Sequence, residues 1–414
     1  MKGVKSIWTL AAVVFTMALV SCERTEPFEP SEDRKVFILY SCGYNNLSNN
    51  LSEDISLLCE SAPSRALSSL YKVLVFSHTT ASFGNYTTPT HPVLIDVYKD
   101  QFGLVVMDTV KVYPDNMVGA SAQAVERVLS DVKMLYPAKE YGMVMSSHAT
   151  GWLPERYYNE GGGSGGAMYA AGQSAMMMCP PLVKSMCAQF SSSHGSVRSE
   201  HEMEITDFAS SIPMHLKYLV LDMCLMGGIE CAYEFRDIVD YLAVSPTEVL
   251  VDGLEYENML NRLLYSREAD VRGVCEDYYN YYAAKGSSAT ISLIDCRQLQ
   301  KLASVCAGLF DRYRDGIANV SQNSVQRYWR ENKHWFYDLR DILEKSGVSA
   351  SDLASLDSAL ASCVLYNVAT DKFLEIQIRT HCGLSMFLPK MDGNARLRSF
   401  YKGLAWNKAT SLVK

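Results

Sequence analysis

Two short stretches carry residues able to do chemistry. In "LKYLVLDMCLMGGIECAYEF", Leu216 to Phe235, an apolar block ends in Asp222-Met223-Cys224 and is broken by Gly227-Gly228. In "VMSSHATGW", His148 follows a similar block and precedes Gly151-Trp152. A free thiol is only slightly ionised at neutral pH, and a nearby imidazole that takes its proton turns it into a nucleophile for carbonyl carbon. Position alone leaves two readings open. One is a Cys224–His148 dyad; the other is a buried small thiol and a histidine that serves as a structural hydrogen-bond donor.

The elements that would carry these residues are legible as apolar, β-branched runs. Strands are expected at Lys35–Tyr40, Lys72–Phe76, Leu104–Asp108, Tyr141–Ser146, Tyr218–Asp222 and Tyr241–Ser245, with a hairpin over Val93–Asp108. Gly119–Tyr136 has helical spacing, and Ile229–Phe235 reads as a helix. Strands alternating with helices predict an α/β fold with a mostly parallel sheet flanked by helices. Open sheets of this kind place their chemistry at the C-terminal ends of the strands, where Cys224 and His148 both fall. Beyond Leu250, helices are expected at Leu254–Leu264, Glu268–Ala284, Gln298–Asp315, Tyr337–Lys345 and Ala350–Ser362. Short strands are expected at Thr290–Ile294, Phe373–Gln377 and Gly383–Leu388. Gly151–Ser199, with its glycine run and "SSSHGS", has few periodic features and reads as a functional or disordered loop.

The totals set bounds. A chain of 414 residues, 48% hydrophobic and 20% charged, is globular and long enough for a large α/β core with additions. Its net charge of -8 argues against nucleic acid as a partner. Twelve cysteines are present, without CxxC or zinc-type Cys/His spacing, and most sit in apolar contexts. Only Cys179 and Cys187 are spaced for a local bridge. At the N-terminus, Lys2 and Lys5 precede an apolar run, Ile7–Val20, too short for a membrane span. Leu19-Val20-Ser21-Cys22 resembles a bacterial lipobox, which implies removal of residues 1–21 and lipidation of Cys22. Residues 22–34 then read as an acidic tether to a membrane surface, periplasmic or at the cell exterior.

Together, "MSSHATGW" and "LVLDMCLMGGIECAYEF" resemble the clostripain family of cysteine peptidases (family C11), which have a caspase-like fold. The resemblance extends to "EITDFASSI", "IVDYLAVSPTEV", "ATISLIDCRQLQKLA", "WFYDLRDIL" and "GLSMFLP". It implies a caspase-like core over residues 35–250, with an activation-type loop at 151–200, and a helix-rich region over 251–414 packed on that core. It further implies that Cys224 is the nucleophile, His148 the general base, and the backbone N–H groups of Ala149 and Cys224 the oxyanion hole. The family usually has glycine where Ala149 stands, and alanine disfavours a positive φ. Asp222 matches an acidic residue of a pocket for arginine or lysine, and Glu248 stands where a second acidic residue often lies. Cleavage between histidine and cysteine activates many members, and Arg156, Lys184 and Arg198 are the basic residues available. The resemblance requires no cofactor for the chemistry and leaves calcium open as a structural ion. Expected partners are peptides with Arg or Lys at the cleaved position, met by a monomer. Two other readings share the fold features: a catalytically weak or inactive surface lipoprotein used for binding, and a flavodoxin-like ligand-binding domain.

The remaining candidates carry less. His78 also follows an apolar strand and is the rival base. "HEMEI", His201–Ile205, lacks the second histidine of a zinc site. His194 falls in the soft loop, the glycine run has no phosphate-loop lysine, and Met176–Met178 reads as packing.

Overall fold

The computed structural model describes residues 33–82, 85–155, 157, 186–193, 196–329, 335–389 and 394–414. Among these, the apolar runs form a nine-stranded sheet. Its strands are β1 Lys35–Cys42, β2 Tyr71–His78, β3 Val93–Lys99, β4 Val105–Val112, β5 Glu140–Ser146, β6 Leu216–Asp222, β7 Val239–Val244, β8 Thr290–Asp295 and β9 Val364–Ala369. Their order in space is β9-β8-β7-β6-β5-β1-β2-β3-β4. The five central strands, β7 to β2, are parallel. Antiparallel pairs extend both edges. β8 and β9 come from the helix-rich C-terminal region, which therefore completes the sheet as well as covering it.

Parallel strands need crossovers, and helices supply them on both faces. These are α1 Ser48–Glu60, α2 Ala122–Leu135, α3 Ile229–Glu234, α4 Val271–Ala284, α5 Leu299–Arg312 and α6 Ala350–Cys363. β1 shows the division by its period of two. Val36, Ile38 and Tyr40 pack with Val125, Val128 and Leu129 of α2 and with the apolar faces of α3, α5 and α6. Phe37 and Leu39 face the other way, into a core with Ile55 and Leu58 of α1 and Tyr278 and Tyr282 of α4. Ser121, Asp270 and Ser349 cap α2, α4 and α6 by accepting backbone N–H bonds. The adjacency of β5 and β6 depends on Gly142, since a Cβ there would lie 1.9 Å from the ring of its register partner Tyr218.

Several expectations change. Gly151–Ser199 is not without structure throughout: Met186–Ser193 pairs antiparallel with Ser196–Met203, and Gln189 accepts the Gly119 N–H at 2.9 Å. Repetitive Ser and Gly composition masked that hairpin. Tyr337–Lys345 is helical only from Leu339, because Tyr337–Asp338 pairs with Ser385–Met386 and Asp338 caps the turn that follows. The helix expected at Leu254–Leu264 shrinks to Met259–Leu263. That expected from Glu268 starts at Val271, behind its Asp270 cap. The long helix over Gln298–Asp315 breaks at Tyr313. Phe373–Gln377 is a tight ladder turning through Leu374, whose φ is 52°. α1 was not anticipated at all.

Nine cysteines, Cys224 included, are free thiols. Cys179 and the side chain of Cys187 lie outside the described residues. No helix among the described residues is long and apolar enough to cross a membrane.

Candidate active site

Four neighbouring parallel strands, β7, β6, β5 and β1, end at the same edge of the sheet, and the segments that leave them meet there. Asp222, the last residue of β6, pairs in register with Ser146, the last of β5. His148 and Cys224 each follow two residues later, and both line a single narrow slot. The slot has a volume of about 70 Å³ and is also lined by Asp222, Glu248, Asp54 and Val249. Thus the sheet brings together four of the residues singled out in the sequence, and adds Asp54. His78 goes elsewhere. It ends β2, in register with Cys42, and is buried with its pKa pushed down to about 4 by loss of solvent.

The turn at the thiol is held from the β7 side. Leu225, just after Cys224, has φ 62°, a left-handed conformation that costs a non-glycine residue roughly 1–3 kcal/mol. Its N–H donates to the Thr247 carbonyl at 2.8 Å, and the Gly227 N–H donates to the Ser245 carbonyl at 2.8 Å. Gly227 has to be glycine, since a Cβ would lie 2.5 Å from the Pro246 nitrogen. The loop that grips this turn is itself pinned by hydroxyls: Thr290 Oγ1 of β8 lies 2.7 Å from Thr247 and 2.9 Å from Ser245. Cys224 Sγ accepts the Val249 N–H at 3.3 Å and reaches the Val249 carbonyl at 3.6 Å.

His148 is buried, and loss of solvent lowers its pKa to about 4, so the ring is neutral at physiological pH. Its Nε2 lies 2.6 Å from Asn46 Oδ1. An amide oxygen only accepts, so Nε2 carries the proton and the basic lone pair is on Nδ1. Asn45, beside it, donates to the Cys42 carbonyl at 3.0 Å, and Ser147 Oγ donates to the same carbonyl at 2.8 Å. These bonds tie the end of β1 to the segment that carries His148. Ala149 does not occupy the left-handed region, and alanine is unstrained there. The residue that needs the special backbone is Gly151, with φ 64° and a hypothetical Cβ 2.6 Å from the Leu225 carbonyl. That contact links the histidine loop to the cysteine turn.

Asp222 is buried and densely solvated by protein. Tyr256 donates to its Oδ2 at 2.8 Å and Ser146 donates at 3.2 Å. Burial raises its pKa, and the bonds from Tyr256 and Ser146 oppose the rise. Gly253, with φ 62°, lets the chain pass close by; a Cβ there would lie 2.7 Å from Asp222 Oδ2. Glu248 is buried on the same slot. Among the described residues, no cluster of three or more His, Cys, Asp or Glu could hold a metal ion. Cys22, Arg156 and Lys184 lie outside the described residues. Arg198 falls on the second strand of the hairpin, with its side chain outside them.

Sequence reasoning missed Asn46 and Asp54. Both depend on α1, whose Asn- and Ser-rich start concealed the spacing Leu51, Ile55, Leu58 that marks a helix packed on a sheet.

Nine strands with helices on both faces and a thiol and imidazole at adjoining parallel strand ends define the caspase-like class of cysteine peptidase. Comparison with known proteins agrees. A sequence profile of the clostripain family (peptidase family C11) matches residues 193–412, and the chain belongs to that family. Its fold is similar to that of an inactive zymogen C11 protease from Parabacteroides distasonis, with TM-score 0.71 and 23% identity, covering 92% of this chain and 99% of that one. It is also similar to a secreted C11 cysteine protease from Bacteroides thetaiotaomicron, iotapain, with TM-score 0.72 and 22% identity, covering 92% and 100%. The latter species' secreted C11 protease in complex with an irreversible peptide inhibitor gives TM-score 0.70 at 20% identity, covering 91% and 98%. No curated protein matches the chain.

Proposed function

We propose that this peptidase cuts peptide bonds after arginine or lysine through a Cys224–His148 dyad. The observation that carries the reading is the placement of both groups on one slot beside the buried carboxylate of Asp222. His148 Nδ1 takes the thiol proton, and the thiolate attacks the scissile carbonyl carbon. The oxyanion accepts N–H bonds from Cys224 and Ala149, fixed dipoles that act on charge present only in the transition state. Protonated His148 then gives its proton to the leaving amine, and water hydrolyses the thioester to release the acid and restore the thiol. No cofactor takes part in these steps. Asp222, held by Tyr256 and Ser146, pairs the basic side chain, with Glu248 adding negative charge to the same slot. Cleavage at Arg156, Lys184 or Arg198 activates the enzyme, a step that its own preference for basic residues would supply. Lipid on Cys22 anchors the monomer at a bacterial membrane surface, where peptides and proteins with exposed basic residues are its substrates.

Fluorogenic peptides with Arg, Lys or Asp at the cleaved position test the specificity. Asp222→Asn is expected to lower kcat/KM for Arg and Lys peptides by about 100-fold, the scale of a lost charge-assisted bond. Its melting temperature should change little. Parallel loss of activity and folding would instead give Asp222 a structural role.

Asn46 acts through His148 as a positioning residue. Asn46→Ala is expected to lower kcat by about 10- to 100-fold, part of the ~10²–10⁴ that a positioned general base supplies. KM should barely move, and the pH–rate profile should shift. Asn46→Asp keeps an oxygen acceptor and should recover most of the rate; no recovery, with an unshifted profile, would remove Asn46 from the catalytic account.

A further inference from the structure

Asp54 is out of place on its helix. α1 turns Leu51, Ile55 and Leu58 toward the sheet, and Asp54 falls on that same buried stripe. The residue is only 7% exposed, and burial and the charges of Asp222, Glu53 and Asp252 act on its carboxylate with no hydrogen bond among them. It lines the slot with Asp222, Cys224 and His148. A buried carboxylate without a partner is unfavourable unless it holds a proton or meets a cation.

We propose that Asp54 is a further reader of the basic side chain, so that α1 adds a carboxylate to Asp222 at the end of β6 and Glu248 after β7. The inference rests on the specificity reading above and adds a residue to it. Asp222 and Asp54 divide the work by their surroundings. Asp222 accepts hydrogen bonds from Tyr256 and Ser146, which favour its anion. Asp54, with none, is the natural holder of a proton while the slot is empty, and releases it to solvent when a guanidinium or ammonium group enters. A guanidinium, with five N–H donors in a planar fork, suits two carboxylates better than an ammonium does.

The charges around Asp54 are consistent with that exchange. Burial is the main cause that pushes its pKa up to about 9, and Asp222, Glu53 on its own helix and Asp252 beyond β7 add repulsion. Glu248, His148 and the Cys224 thiol complete the ionisable groups on the slot. His148, with a pKa near 4, is already neutral above pH 6 and contributes no change there.

The test uses the full-length protein in detergent, nicked in the 151–200 segment by trypsin that is then inhibited and removed, with benzamidine as an amidinium probe and peptides carrying arginine or neutral citrulline at the cleaved position. In the wild type, benzamidine affinity should rise with pH up to about 9, approaching tenfold per unit, because binding expels a proton. In Asp54→Asn that slope should vanish. At pH 8, kcat/KM for the arginine peptide should fall by about 10- to 100-fold, mostly through KM. The preference for the arginine over the citrulline peptide should fall with it, and a melting temperature matching wild type excludes a folding defect. Equal benzamidine affinity and equal pH slope in wild type and Asp54→Asn would overturn the proposal. A wild type that binds benzamidine in an Asp54-dependent way yet cleaves no basic peptide would overturn the peptidase reading alone. One that neither binds nor cleaves would overturn both.

Discussion

Replacing Cys224 by alanine is expected to lower turnover of arginyl and lysyl peptides by on the order of 10⁴–10⁶-fold, the scale on which a lost nucleophile leaves only binding and fixed dipoles. The protein should remain folded. Cys224 is half-buried, bonds to the Val249 backbone and touches the core only from its edge, so alanine removes little packing. The turn that presents it is held by Leu225 and Gly227 bonding to Thr247 and Ser245, none of which needs the sulfur. Progress curves at matched concentration, with thermal melting as the control, measure both quantities. A variant that retained a tenth of the wild-type rate would place the nucleophile elsewhere.

The second large effect is on stability. Trp152 is completely buried, with its ring centroid 5.1 Å from Phe387, 5.0 Å from Tyr401 and 6.4 Å from Phe336. It anchors the segment that begins at His148 to the C-terminal region, one residue after the left-handed Gly151. Trp152→Ala is expected to cost about 3–5 kcal/mol, the sum of lost burial and an unfilled cavity. Its denaturation midpoint should fall accordingly, and activity should fall further than the folded fraction does, because the histidine loop loses its anchor. Trp152→Phe, which keeps a ring against Tyr401 and Phe387, should recover part of both. A Trp152→Ala protein as stable as wild type would mean that the aromatic cluster does not hold this loop.

Much of this site is legible in the sequence because strand ends are. Blocks of Val, Ile, Leu and Met announce buried parallel strands, and chain order puts polar residues at their C-terminal ends, so His148, Asp222 and Cys224 could be placed before any geometry was known. What chain order cannot supply is lateral pairing, since β6 lies next to β5 although about 70 residues separate their ends. The alanine after His148 carries no backbone strain: the backbone that demands glycine is at Gly151, and local sequence does not say at which of two nearby positions φ turns positive. Asn46 and Asp54 were hidden for a different reason. An acidic residue on a buried helical stripe reads as a break in the pattern, so the feature that makes Asp54 interesting is also the one that conceals α1.

The central claim is cleavage after basic residues by Cys224, and its most direct test is to identify the products. The mature protein and its Cys224→Ala variant, each nicked beforehand in the 151–200 segment by trypsin that is then inhibited, would be given a peptide mixture rich in all residue types. New C-termini would be read by mass spectrometry. New C-termini are expected at arginine and lysine only, and none with the variant. No new termini, termini after acidic or apolar residues, or the same termini with Cys224→Ala would contradict that claim.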